Sequence, residues 1–267
     1  MKVKESIKEL RTVCQKEDKD EFLISKYGYR YWSIYFTKIF LVIGLSSNTV
    51  TFLSLLAALA SCYFLIYNTA TALFLSAAFI SFYFVLDHCD GEVARYYIRS
   101  GIKKPSMSGK YFDFLVHYFS SNLMFFFMGM GLYNLYGNSL ILISGLISCI
   151  GMSNFPNLCI AFSVIESGVY KENVKAEVLE KRIFEDFEKR HNMEDVISSK
   201  SVKVKIFALI RELITFPGCL VVLSAVCILD MLTLKVFSFR LVYLLSFTVF
   251  SVINTTRKSI YWVNKLK

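Results

Sequence analysis

Charge is missing from the chain in two long stretches. From Ile39 to Leu86, 48 residues run without one Asp, Glu, Lys or Arg, and from Tyr118 to Ile165 there are another 48. About 20 apolar residues carry a helix across a bilayer core, so each stretch is long enough for two spans and a turn. Polar breaks place those turns at Asn68-Thr69-Ala70 and at Tyr136-Gly137-Asn138. A third, weaker pair runs over roughly 207–229 and 236–256, with Asp230, Lys235 and Arg240 near its turn. The pattern predicts an all-α polytopic membrane protein, a bundle of six transmembrane helices. The short alternation of polar and apolar residues that marks a membrane β-barrel is absent.

Two flanking stretches have patterns of their own. Residues 22–42 set Tyr27, Tyr29, Tyr31, Trp32, Tyr35 and Phe36 among Lys26, Arg30 and Lys38. That mixture predicts an N-terminal amphipathic helix lying in the membrane interface, rings at headgroup level and cations toward phosphate. In residues 166–205, Val174, Val178, Phe184 and Phe187 recur at near-helical spacing among Glu and Lys, which predicts a cytoplasmic amphipathic helix continuing from the fourth span. The expected organisation is an interfacial segment over 1–45 and a membrane domain over 46–256, with cytoplasmic loops at about 95–110 and 166–205. A cytoplasmic tail follows over 257–267.

Composition narrows the class. The 267 residues are 55% hydrophobic and 19% charged, with a mean hydropathy of +0.49. A soluble domain carries about 25% charge, so the composition argues against a soluble globular enzyme, a disordered chain or a fibrous protein. The net charge of +9 raises the question of nucleic acid, and its distribution answers it. In a six-span arrangement 28 of the 30 Lys and Arg residues fall on one side; Lys235 and Arg240 are the exceptions. The positive-inside rule makes that side, with both termini, cytoplasmic. No nucleic-acid partner is needed to explain the basic balance. The seven cysteines form no CxxC pair, which argues against a disulfide framework or a zinc ribbon. Residues 1–21 are charged throughout, unlike a cleavable secretory signal.

The candidate chemistry lies between the two uncharged stretches. In Leu86-Asp87-His88-Cys89-Asp90-Gly91-Glu92-Val93-Ala94-Arg95, a helix puts Asp87, Asp90, Gly91 and Ala94 on one face. A carboxylate at membrane depth costs roughly 2.5–3.5 kcal/mol on insertion scales. Two on one face repel unless something positive lies between them, and hard divalent cations bind such oxygen clusters. Gly91 and Ala94 leave the face bare enough for a flat ligand to approach the backbone. Arg95 offers a two-pronged grip on phosphate. The third span opens Gly109-Lys110-Tyr111-Phe112-Asp113, with His117 one turn beyond Asp113. The expected result is one cluster of Asp87, Asp90, Asp113 and His117 at the cytoplasmic membrane boundary. His88 is expected to turn off that face and His191 to be a solvated loop residue.

At these residues the chain resembles the CDP-alcohol phosphatidyltransferase family, whose signature is D-x2-D-G-x2-A-R followed by G-x3-D-x3-D. Asp87, Asp90, Gly91, Ala94 and Arg95 match the first half, and Gly109 and Asp113 match the second. Ser47-Asn48-Thr49-Val50-Thr51 is similar to the family's Pro-Asn-x-Val-Thr stretch, with serine for proline. Two departures stand out. The thirteen residues between Arg95 and Gly109 make a longer connection than the signature usually has, and the fourth aspartate is replaced by His117.

The resemblance implies transfer of a substituted phosphate from a CDP-linked donor to an alcohol acceptor, with release of CMP, in phospholipid or lipid-linked product biosynthesis. It implies Asp87, Asp90 and Asp113 as ligands of one or two Mg²⁺ or Mn²⁺ ions. Gly91, Ala94, Arg95 and Gly109 would serve nucleotide and substrate binding, and His117 would stand at the general-base position. Histidine suits that position, with an ordinary pKa of about 6.5 near cytoplasmic pH. It is also a metal ligand, which puts the number of ions in question. The implied partners are CDP-diacylglycerol or a CDP-alcohol, an alcohol acceptor, membrane lipid and a second copy of the chain. A catalytically silent relative that binds CDP-lipid is the alternative, and a transporter or proton relay is a third reading that intramembrane carboxylates also allow. The acceptor is not named by the sequence. Lys103, Lys104, Arg182 and Arg211 are candidates for an acceptor phosphate.

Overall fold

The computed structural model describes residues 5–15, 28–104, 107–152, 218–233 and 237–266, together with Ile210, Leu213 and Ile214. It is helical, with no strand among the described residues. In chain order the helices are α1 (Ile7–Cys14), α2 (Arg30–Ile43), α3 (Ser47–Leu65), α4 (Ala70–Arg99), α5 (Met107–Tyr136), α6 (Ser139–Met152), α7 (Gly218–Leu232) and α8 (Phe239–Leu266). Four segments are long and apolar enough to cross a membrane: Ser47–Leu65, Ala70–Arg99, Tyr111–Tyr136 and Phe239–Ile260. Ser139–Gly151 and Gly218–Leu232 are apolar but shorter. The amphipathic helix expected over 166–205 lies outside the described residues, as do His191, Arg182 and Arg211.

Helix boundaries follow local chemistry. Ser6 and Glu9 form a reciprocal capping box at the start of α1, which satisfies two of the orphan N–H groups of a helix start. Ser46 caps α3 by accepting from the Thr49 amide, and Thr69 caps α4 by accepting from the Ala72 amide. Gly44 ends α2 at φ 82°, a left-handed position that glycine takes without a Cβ clash. The turns between α3 and α4 and between α5 and α6 fall at the polar breaks read from the sequence.

Helices α3 to α8 close into a ring. Helix α4 packs on α3, α3 on α5, α5 on α6, α6 on α8, α8 on α7, and α7 back on α4. The interior holds Ile80, Phe84, Phe125, Met128, Leu223 and Phe247, with Phe125 stacked on Phe247 at 4.1 Å between centroids. The outside is apolar as well: Phe52, Leu56, Ile143, Ile150, Val249 and Ile253 are exposed. An uncovered apolar surface of that extent belongs in lipid. With the four full-length spans, it makes the chain an integral membrane protein.

Small residues permit the tight crossings. A Cβ on Gly131 of α5 would stand 2.0 Å from the Leu65 carbonyl oxygen of α3. Gly129 of α5 meets Gly145 of α6, where a Cβ would come within 2.8 Å of the Gly145 Cα. Backbones approach this closely in membranes only where side chains are minimal.

Helices α1 and α2 lie outside the ring, against α4. Helix α2 turns Arg30, Ser33, Ile34, Thr37 and Leu41 inward. Its exposed residues are Tyr31, Trp32, Tyr35, Ile39 and Val42. The aromatic face expected from the sequence is present, but Arg30 is buried rather than directed outward. Helix α4 also runs further than the span itself: it continues helical through the whole motif to Arg99, so the connection to α5 is shorter than the loop expected over 95–110. Burial of Glu92, Val93, Tyr96 and Tyr97 accounts for the extension, since this end of α4 has its own packing partners in α1 and α2.

The Gly131 crossing makes a direct prediction. Gly131→Leu must push α3 and α5 apart, at a cost of about 1–3 kcal/mol or more. The purified protein in detergent should unfold at a clearly lower temperature, whereas Gly28→Ala, where a Cβ meets nothing within 4 Å, should leave the transition in place.

Candidate active site

The cluster is built by α4 and α5, both packed on α3. Their facing ends meet through side chains. His117 Nε2 lies 2.9 Å from Asp87 Oδ1 and 3.2 Å from Asp113 Oδ1. Its other nitrogen, Nδ1, lies 2.9 Å from the Tyr83 hydroxyl, and Tyr83 is fully buried. The imidazole is therefore held from behind by Tyr83 and points Nε2 at both carboxylates. Tyr83 sits one turn before Asp87 in a run of aromatic residues, and nothing in the sequence distinguishes it from them.

Donor atoms of Asp87, Asp113 and His117 lie within 4.8 Å of one another. Asp113 Oδ1 is buried and accepts no aligned hydrogen bond, despite its closeness to the imidazole. An oxygen held that way in a protein interior wants a proton or a cation. Two carboxylates and an imidazole form an acceptable donor set for a divalent ion, so the residues fit a metal.

Asp90 is handled separately. Thr51 Oγ1 donates to Asp90 Oδ2 at 2.7 Å, which ties the start of α3 to the motif helix. Asp90 lies within electrostatic range of Asp87, Asp113 and His117, but it is not part of the close three-residue group. His88 lies 3.6 Å from Asp87 through Nδ1, with its ring 6.3 Å from that of Tyr29; it sits on the α2 side of α4. A shallow hollow of about 430 Å³ opens beside this end of the bundle, lined by Asn48, Thr49, Phe52 and Phe112.

Gly91, Ala94 and Gly109 are half-buried. The space a Cβ would take on Gly91 is occupied by the Arg95 guanidinium, with Nη1 at 3.0 Å. Arg95 Nε donates to the Cys14 carbonyl, and Arg99 donates to the Thr12 and Val13 carbonyls. These are the last carbonyls of α1, which have no partner within their own helix. Two arginines of α4 thus cap α1 and dock it on the motif. Cys14 itself is inert: burial pushes its thiol up to about 12. Lys103 has its Nζ 5.2 Å from the Tyr97 ring centroid, and Lys104 is exposed.

Glu92, inside the motif but not among its defining positions, is the residue sequence reasoning missed. It is buried and accepts from Gln15 Nε2 at 3.0 Å, Ser33 Oγ at 2.7 Å and Thr37 Oγ1 at 2.6 Å. Its carboxylate joins α4 to α2 and to the residue that follows α1. The available signal was the spacing of Ser33 and Thr37, one turn apart on the face of α2 opposite its exposed rings.

Residues 45–233 match the family profile of the CDP-alcohol phosphatidyltransferases. The chain belongs to that family. The match takes in α3 to α7 and the whole cluster, and the family's enzymes are transferases acting on CDP-linked alcohols in lipid synthesis. No curated protein matches the chain.

Glu92→Ala would take the acceptor from the Thr37 hydroxyl and leave Gln15 and Ser33 with the Arg30 carbonyl alone, a donor stranded in the interior costing about 1–3 kcal/mol. The expected outcome is release of α1 and α2 from α4, seen as markedly faster tryptic removal of the N-terminal segment. Glu92→Gln, which retains one carbonyl acceptor, should fall between the variant and the native protein.

Proposed function

We propose that this protein transfers a substituted phosphate from a CDP-linked donor to an alcohol acceptor, releasing CMP, at the cytoplasmic face of a membrane. The observation that carries the reading is the convergence of Asp87, Asp113 and His117 Nε2 on one point, with an unsatisfied Asp113 oxygen there. Phosphoryl transfer asks a protein for position and charge neutralisation more than for covalent chemistry. The distribution of Lys and Arg supports a cytoplasmic site.

In this scheme Asp87, Asp113 and the nearby Asp90 would hold Mg²⁺ or Mn²⁺, which would supply the positive charge that a diphosphate needs in order to come apart. Thr51 fixes the rotamer of Asp90. Gly91 makes room for the Arg95 guanidinium beside it, and Ala94, with Gly109 at the start of α5, keeps the facing backbone low for the nucleotide. The Nη atoms of Arg95 stand over Gly91, within reach of the same ligand's phosphate. The acceptor hydroxyl oxygen forms a bond to the β-phosphorus. The bond from that phosphorus to the bridging oxygen breaks, and CMP leaves with the oxygen. The hydroxyl proton passes to His117 Nε2. For that, Nε2 must be bare and Nδ1 protonated, a tautomer the Tyr83 hydroxyl accommodates because it can accept as well as donate at Nδ1. The lipid-facing surface around the bundle supplies a lipid substrate by lateral diffusion.

The test is CMP release by the purified full chain, with CDP-diacylglycerol or CDP-alcohols as donor and a panel of alcohol acceptors. Release should require Mg²⁺ or Mn²⁺ and stop on chelation. Asp113→Ala should abolish it. His117→Ala should slow it by about 10²–10⁴-fold, the usual worth of a positioned general base, while CDP binding changes little. Metal-dependent CDP binding with no turnover for any donor and acceptor would overturn the catalytic reading and leave a CDP-lipid-binding protein.

A further inference from the structure

The family match begins at residue 45, so α1 stands outside it, yet α1 ends against the motif helix. Leu10 and Cys14 of α1 are fully buried. Glu5 accepts from the Tyr96 hydroxyl at 3.0 Å. The Thr12 and Val13 carbonyls accept from Arg99 Nη1, and the Cys14 carbonyl accepts from Arg95 Nε. Gln15, the next residue, donates to Glu92 Oε1 at 3.0 Å. Over two turns of α4, four side chains are tied to this one short segment.

The contact with Arg95 differs from the others. Tyr96 and Arg99 lie beyond the motif, and Glu92 is turned to α2, where Ser33 and Thr37 also donate to it. Arg95 is one of the motif's defining positions, and its guanidinium is fixed from two sides. On one side the Cys14 carbonyl takes the Nε hydrogen. That carbonyl ends a helix, where the dipole is negative and favours a cation. On the other side Nη1 and Nη2 fill the space that a Cβ on residue 91 would need, at 3.0 and 3.4 Å. Neither Nη group has a hydrogen-bond acceptor among the described residues, and Arg95 is only half-buried. Gly91 lies one helical turn from Asp87 on the same face, where neighbouring positions are about 5–6 Å apart. An arginine side chain has much rotamer freedom to lose when it grips a phosphate. Here that freedom is removed before any ligand arrives, which favours binding.

We infer that α1 is a positioning element of the nucleotide site: its last carbonyl holds Arg95 so that the Nη edge meets the phosphates of a CDP-linked ligand. The inference rests on the reading of this end of the bundle as a CDP site. It adds that a segment outside the family match sets the affinity of that site. Arg95 touches the ligand, whereas Leu10 and Arg99 act only by seating α1.

The experiment measures binding of CDP and of cytidine, with Mg²⁺ present, to the purified full chain in detergent. Leu10→Gln weakens the apolar seat of α1 and alters no charge. Arg99→Ala removes the cap on the Thr12 and Val13 carbonyls, and the double variant lacks both supports. The double variant should bind CDP about 10-fold more weakly, the lower end for loss of a hydrogen bond to a charged group. Each single variant should lose less, and the unfolding temperature should change little, because α1 lies outside the ring of helices. Cytidine, which has no phosphate, should bind all of them as it binds the native protein. Arg95→Ala should show the same pattern as the double variant. Native-like CDP affinity in the double variant would overturn the inference, and so would equal losses for CDP and cytidine, the mark of a merely structural role. Tighter CDP binding in the double variant would overturn it too, since α1 would then compete with the ligand for Arg95. CDP binding without turnover overturns the transfer reading and leaves this inference standing; no CDP binding by the native chain overturns both.

Discussion

Among the described residues, four carboxylates of α4 and α5 stand at one end of a bundle whose sides face hydrocarbon, and almost everything about that end is a response to them. Asp87, Asp90 and Glu92 lie within six residues of one helix, and Asp113 faces them from the next. Each one buried alone would be prohibitive. Each is answered by a different element. Asp87 has His117 of α5, Asp90 has Thr51 of α3, and Glu92 has Ser33 and Thr37 of α2 with Gln15. Because the three acids point in three directions from α4, satisfying them brings three other helices to it. Among the described residues, Asp113 Oδ1 is a fully buried carboxylate oxygen with no aligned donor. The remaining electrostatic need is thereby concentrated at one point.

Among the described residues, one ion pair organises the opposite end. Asp230 and Arg240 sit on either side of the α7–α8 turn, and the pair reaches the α3–α4 turn through Asn68. A buried pair of this kind is seldom a net source of stability. Here it does something more specific: it fixes where α8 starts, since Asp230 accepts from the first two amides of that helix. The two ends of the bundle thus use acids in opposite ways. One end gathers them and leaves an acceptor over; the other saturates its acid and leaves a donor over.

Most of the architecture was legible because hydrocarbon is an unforgiving solvent for charge. The two uncharged stretches marked α3 to α6, and the turns fell at Asn68 and Gly137 because polar backbone has nowhere else to go. Three of the four expected cluster residues, Asp87, Asp113 and His117, come together, since helix spacing fixes which side chains share a face; Asp90 is tied to Thr51 instead. What stayed hidden depended on partners distant in sequence. Glu92 read as an ordinary acid because its three donors lie on segments that pattern alone had assigned to the membrane surface. Arg95 read as a phosphate ligand, and its contact with the end of α1 required knowing that a short capped helix precedes α2. Tyr83 was one ring among many until His117 was seen to rest against it.

The histidine in place of the signature's last aspartate has a consequence that an acid would not have. An aspartate carries four acceptor lone-pair positions on two oxygens and can face a cation and a substrate proton together. His117 has two nitrogens, and Nδ1 is occupied by Tyr83. A single lone pair at Nε2 is all it can offer to the cluster. That lone pair either coordinates a cation or takes a proton; it does not do both at once. If Nε2 serves as ligand, the proton of the acceptor must leave by another route. If it serves as base, the cation is held by carboxylates alone, and Asp90, 2.7 Å from its threonine and within range of the other acids, is the residue placed to complete the set. The second arrangement gives every residue of the cluster one task, and it needs no group beyond those already gathered at this end of the bundle.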